Sequence, residues 1–145
     1  MLHVAKFDKD KVTWLPLIHG QGPLTAENGF ASQAEVLIFC RKAADLLGGT
    51  PMDRPEWTAT NHYTGEIYLT LTNNNAALRP LNGTDAANPR HYNDPFGPAN
   101  SNQFGNPNGH IVRLKEGAGA AQATSFTWDV YLFGAEASAD AGKVN

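Results

Sequence analysis

The chain has 145 residues, 41% of them hydrophobic and 17% charged, with a formal net charge of −3. That length is about one domain, and the composition is that of a globular protein. No apolar run approaches the ~18 residues of a membrane-spanning helix, no basic patch suggests nucleic acid, and the single cysteine, Cys40, excludes an internal disulfide or a Cys-only zinc site.

Residues 2–18 read as a β-hairpin. His3–Phe7 and Val12–Ile18 alternate, and the polar turn Asp8–Lys11 lies between them. Pro16 suits an edge, because it cannot donate to a ladder. After a Gly- and Pro-bearing loop, Ser32 followed three residues on by Glu35 forms a capping box, predicting a helix over 32–47. Val36, Leu37, Cys40, Ala44 and Leu47 form its apolar stripe, and Gly48-Gly49 stops it. Cys40 on that stripe reads as a buried, inert thiol.

Residues 57–133 read as four strands: 57–60, 66–72, 110–114 and 125–133. Ile67, Leu69 and Leu71 share one face, as do Phe126, Trp128, Val130 and Leu132. Four antiparallel strands joined locally make one propeller blade. The loop 73–109 is far longer than the ~12–15 residues of ordinary connectors. It carries ten asparagines and five prolines and reads as solvated turns. The expected fold is mainly β: one four-stranded blade, 57–133, preceded by the outer hairpin of another, 2–18, and one inserted helix. A blade buries its faces only against neighbours, so this single partial propeller segment, 1–145, is expected to be a piece of something larger.

The densest chemistry is in Met52-Asp-Arg-Pro-Glu-Trp57, just ahead of the first blade strand. A carboxylate there could ligate a hard cation such as Ca²⁺, and the neighbouring arginine could hold a phosphate through two parallel hydrogen bonds. The plainer reading is a buried Arg–Glu or Arg–Asp pair that pins the loop to the blade. The five histidines are not spaced for a helical metal site. His110, at the start of a strand, reads as a partner for a neighbouring loop, and Asp129 as a solvated residue on a polar face.

The segments His19-Gly-Gln-Gly-Pro-Leu-Thr25, Ala43-Ala-Asp-Leu-Leu-Gly-Gly-Thr-Pro-Met-Asp-Arg-Pro-Glu-Trp57, Thr64-Gly-Glu-Ile-Tyr-Leu-Thr-Leu-Thr-Asn-Asn74 and Ser125-Phe-Thr-Trp-Asp129 resemble the PhoX-type alkaline phosphatases. The resemblance implies a six-bladed propeller with insertions, secreted or periplasmic and monomeric, that hydrolyses phosphomonoesters at a calcium and iron (Ca²⁺, Fe³⁺) site. Carried over by motif, Arg54 matches an arginine that contacts the substrate phosphate, and Glu56 a metal-ligating glutamate. The family's iron site uses a cysteine and glutamates in Cys-Gly-Asn and Cys-Glu-Glu patterns that this sequence lacks, and Cys40 does not match that ligand. The chain is therefore expected to be an internal segment of such an enzyme, inactive alone. The alternatives are a non-catalytic calcium-binding propeller module and a purely structural truncated product.

Overall fold

The computed structural model describes residues 1–75, 84–97, 101–117 and 122–135. Residues 76–83, 98–100, 118–121 and those from 136 lie outside the described residues.

Strands β1 (His3–Phe7) and β2 (Lys11–Pro16) form the expected hairpin, in register from His3 opposite Pro16 to Phe7 opposite Val12. The turn closes through the Asp8 amide on the Lys11 carbonyl at 2.8 Å. The hairpin, expected to belong to a different blade, is joined to the strands of the last one. β2 pairs with β9 (Ser125–Phe133) through Lys11–Thr13. That pairing stops before Pro16, which therefore interrupts no ladder. The free edge of β1 is partly met by Thr50, whose amide donates to the Ala5 carbonyl and whose hydroxyl accepts from the Phe7 amide.

The predicted helix is two. α1 (Gln33–Ile38) starts where expected: the Ser32 hydroxyl accepts the Glu35 amide, and the Glu35 carboxylate accepts the Ala31 amide. It ends at Phe39, whose ψ is 38°, before α2 (Cys40–Leu46) continues. Val36, Ile38 and Phe39 are β-branched or aromatic and lose rotamer freedom in a helix, so the break falls at the weakest helix formers. The stop at Gly48-Gly49 is a Schellman motif: Gly48, at φ +77°, donates to Asp45, and Gly49 to Ala44. Val36 and Ala43 pack with Leu17, Leu24 and Phe30 into one small core. Cys40 is only half-buried, and Leu37 is exposed.

The main sheet runs β1-β2-β9-β8-β4-β3. Its members include β3 (Pro55–Thr60), β4 (Ile67–Leu71) and β8 (His110–Glu116), and every neighbouring pair is antiparallel. Phe7, Val12, Leu71, Val112, Leu114 and Phe126 form the larger core, with Trp14, Ile67, Leu69 and Trp128 packed against it. Alternation in β9 holds for Phe126, Trp128 and Val130 and then fails. Ile111 pairs with Leu132 but Val112 with Val130, so Tyr131 is an extra residue. This bulge turns Leu132, expected inward, out to solvent at 53% exposure.

The insertion is not merely solvated turns. β5 (Asn74–Asn75), β6 (Tyr92–Gly97) and β7 (Ser101–Asn106) form a second sheet in the order β5-β7-β6. Asn74, Asn88 and Asn106 are among the most buried polar residues described, at 4%, 1% and 0% exposure.

Candidate active site

The Met52–Trp57 motif lies on the edge strand β3, with its lead-in loop against the second sheet. Two backbone irregularities fall within it. Arg54 has φ +42°, the only non-glycine among the described residues with a positive value. Its amide reaches back to the Met52 carbonyl at 2.9 Å, and its carbonyl accepts the Thr72 amide. Next, the β3–β4 register slips. Pro55 faces Leu71 and Trp57 faces Thr70, leaving Glu56 as the extra residue of a β-bulge. Pro55 fits at the first position of an edge strand, where its missing amide deprives no partner. Such irregularities persist where surrounding structure over-determines them, and bulges re-aim side chains beside functional sites.

Together they bring Arg54 and Glu56 onto one side. Arg54 Nη2 lies 3.2 Å from Glu56 Oε1. Arg54 Nη1 donates to both the carbonyl and the side-chain oxygen of Asn73, and the Thr72 hydroxyl donates to Glu56 Oε1. The second Glu56 oxygen accepts no hydrogen bond from the described residues. Both side chains stay half-exposed, 51% for Arg54 and 47% for Glu56. The plainer sequence reading expected such a pair to be buried; the Arg–Glu pair forms, but half-exposed, and so stays accessible to solvent. Thr72 and Asn73, with Asn108, His110, Ile111 and Leu132, also line a neighbouring open cleft of about 360 Å³.

Behind the pair lies a buried polar cluster that the sequence did not reveal. Asp53 is 1% exposed. Its two carboxylate oxygens accept from the side-chain amides of Asn74 and Asn106, each at 3.1 Å, and its own amide donates to Asn88 Oδ1 at 2.8 Å. His110, 2% exposed, meets the Ala87 carbonyl through Nε2 and the Asn106 amide through Nδ1. It partners a neighbouring loop, as its position suggested, and Nε2 is the protonated nitrogen, since a carbonyl can only accept. Arg90, 7% exposed, donates to the Gly134 carbonyl and lies over the Phe133 ring; burial lowers its pKa from the usual guanidinium range. No signal in the sequence separates Asn74, Asn88 and Asn106 from the seven other asparagines of the insertion.

A second charged group occupies the face of the main sheet away from its core. Arg113 makes a two-pronged contact with Asp129 and reaches Glu66 at 3.8 Å. Asp129 is thus exposed but paired. The Thr64 and Tyr68 hydroxyls on the Glu66 carboxylate, with Arg113 close by, hold its pKa below the ordinary value of 4.5.

Among the described residues there is no cluster of three or more His, Cys, Asp or Glu that could hold a metal by itself. The Glu56 carboxylate, with one oxygen unengaged, fits a single oxygen ligand of a hard cation, of the kind that calcium takes several of. Cys40 lies in α2, outside this motif, and no described group of His, Cys, Asp or Glu around it fits an iron site.

No curated protein matches the chain. The structure of Pseudomonas fluorescens PhoX in complex with vanadate, a transition state analogue, is similar to it: TM-score 0.73, 34% identity, covering 88% of this chain. The chain spans 21% of the length of that protein. The mainly β, partial-propeller fold expected from the sequence agrees with this likeness. The sequence profile of the family described as alkaline phosphatase PhoX matches residues 1–145, and the chain accordingly belongs to that family.

Proposed function

We propose that this chain supplies Arg54 and Glu56 to the active site of a metal-dependent alkaline phosphatase that hydrolyses phosphomonoesters. The observation that carries this reading is local. A left-handed arginine and a bulged glutamate, two backbone irregularities that cost stability, converge on one open spot within a chain of this family. Arg54 presents a planar fork of donors, suited to two phosphoryl oxygens, and stabilises the charge that builds on them during transfer. Thr72 and Asn73 hold the fork and the carboxylate in place.

Glu56 would hold Ca²⁺ through its unengaged oxygen. A calcium ion bound there supplies positive charge that polarises a phosphoryl oxygen. The described residues offer no comparable fit for Fe³⁺, so the iron that the family resemblance implies would rest on residues elsewhere in the enzyme. With 21% of the solved relative's length covered, we read the chain as one segment of a secreted or periplasmic, monomeric enzyme, insufficient for turnover alone. Its substrate partner is a phosphomonoester; neither nucleic acid nor membrane is a partner. No described helix is long and apolar enough to cross a membrane.

The test is phosphomonoesterase activity and bound-metal analysis of the full-length protein and of its Glu56→Ala and Arg54→Ala variants. Loss of calcium and activity in Glu56→Ala, and loss of activity with metal retained in Arg54→Ala, are expected. Unchanged calcium and activity in Glu56→Ala would remove its assignment. Metal-dependent turnover by the 145-residue chain alone would refute the segment reading.

A further inference from the structure

We propose that Asp53 is a positioning residue whose buried carboxylate locks Arg54 in its phosphate-facing conformation, and that the small sheet of the insertion exists to clamp it. This deepens the reading of Arg54 given above and rests on it.

A carboxylate at 1% exposure is tolerated only when donors replace the water it has lost. Among the described residues a donor meets each Asp53 oxygen, Asn74 on Oδ1 and Asn106 on Oδ2. These two asparagines are direct cross-strand partners in β5 and β7. One rung of the second sheet therefore forms a two-amide clamp. Both amides turn their NH₂ groups to the carboxylate, and as a result the Asn74 and Asn106 side-chain oxygens are buried without a partner among the described residues. Unmet buried acceptors are costly, and a cluster serving packing alone would be served as well by apolar residues. The clamp is held in turn: Asn106 also donates to His110 Nδ1, and His110 Nε2 to the Ala87 carbonyl.

The Asp53 backbone is pinned from the other side. Its amide donates to Asn88 Oδ1, while the Asn88 side-chain amide donates to the Pro51 carbonyl. The turn from Met52 to Arg54 closes over Asp53 through the Arg54 amide on the Met52 carbonyl. A residue so fixed at both its carboxylate and its amide leaves the next one little choice of φ, and Arg54 adopts +42°. The carboxylate points in, and the guanidinium emerges beside Glu56.

The experiment is a double-mutant cycle in the full-length protein as its gene encodes it, with Asp53→Asn, Arg54→Ala and both together. KM for p-nitrophenyl phosphate and the vanadate inhibition constant are measured per titrated active site, with melting temperature alongside. If Asp53 positions Arg54, Asp53→Asn raises KM and weakens vanadate inhibition roughly ten- to a hundredfold, the scale of loss that small misplacements produce. In the Arg54→Ala background the same change adds little. If Asp53 only supports folding, melting temperature and active fraction fall while KM and vanadate inhibition per active site stay wild-type, which overturns the proposal. Arg54→Ala read alone separates the two failures. Unchanged vanadate inhibition there refutes the phosphate reading of Arg54 and the proposal with it. Should Asp53→Asn give no soluble protein, Asn74→Ser, which removes one arm of the clamp, is judged by the same criteria: a shift in vanadate inhibition supports the proposal, and none overturns it.

Discussion

Replacing Arg54 by glycine and, separately, by alanine isolates the strain at the site from the loss of its guanidinium. Both variants lose the half-exposed pair with Glu56, which at such exposure is worth about 0–1 kcal/mol. They differ in the backbone. At φ +42° an alanine keeps the left-handed penalty of roughly 1–2 kcal/mol, whereas glycine does not. Glycine's greater freedom in the unfolded chain offsets about 0.5–1 kcal/mol of that advantage. Arg54→Gly is therefore expected to exceed Arg54→Ala in stability by about 0.5–1 kcal/mol, a factor of roughly two to five in the unfolding equilibrium. Urea unfolding followed by the fluorescence of Trp14 and Trp128, both packed on the main core, reads the difference. The two variants should be equally impaired in vanadate inhibition, because neither carries a guanidinium. Equal or greater stability of Arg54→Ala would show that Arg54 is not held in a strained conformation, and the argument that Asp53 forces it there would lose its footing.

Gly109 and Gly65 share a positive φ, but a Cβ on Gly109 would lie 2.3 Å from the Leu71 carbonyl oxygen, whereas one on Gly65 meets nothing within 4 Å. Gly65→Ala should cost only the net left-handed difference worked out for Arg54, about 0.5–1 kcal/mol, and Gly109→Ala ~1–3 kcal/mol more for overpacking, measured by urea unfolding. Ser32→Ala removes the cap of α1 and should cost about 1 kcal/mol by the same measurement. Glu66 titrates below its ordinary value of 4.5 in the folded state, so its contribution is fully present above that pH and is lost as pH falls through the folded-state value. Glu66→Gln should accordingly flatten the acid side of a stability–pH curve and leave its alkaline side unchanged.

Much of the strand order was legible because one face of each strand is buried. Ile67, Leu69 and Leu71 alternate toward the core as their spacing predicts, and Ser32 with Glu35 announces α1. The failures share a cause. The break at Phe39, the bulge that ejects Leu132 and the register slip at Glu56 each insert or turn one residue, and a periodic pattern does not register a single-residue irregularity. Arg54 and Glu56 stood out through their motif. Asp53 did not, although it lies between Met52 and Arg54, because a carboxylate beside an arginine looks like a surface pair until its depth is known. The asparagines of the insertion misled for a related reason. An amide that caps a turn and one that clamps a buried carboxylate are the same residue, and only tertiary placement separates them.

The pairing of β2 with β9 also sets an order of events during synthesis. Lys11–Thr13 find their partners at Ser125–Thr127, and the Trp128 ring nitrogen donates to the Asp8 carbonyl across a sequence separation of 120 residues. On a ribosome adding about 5–20 residues per second, the hairpin emerges several seconds before the strand that completes it. Through that interval the outer edge of β2 presents open backbone donors and acceptors, with Val12 and Trp14 not yet covered by Phe126. A pause in translation before the codon for Ser125 would lengthen that exposure, in which β2 presents an unpaired edge.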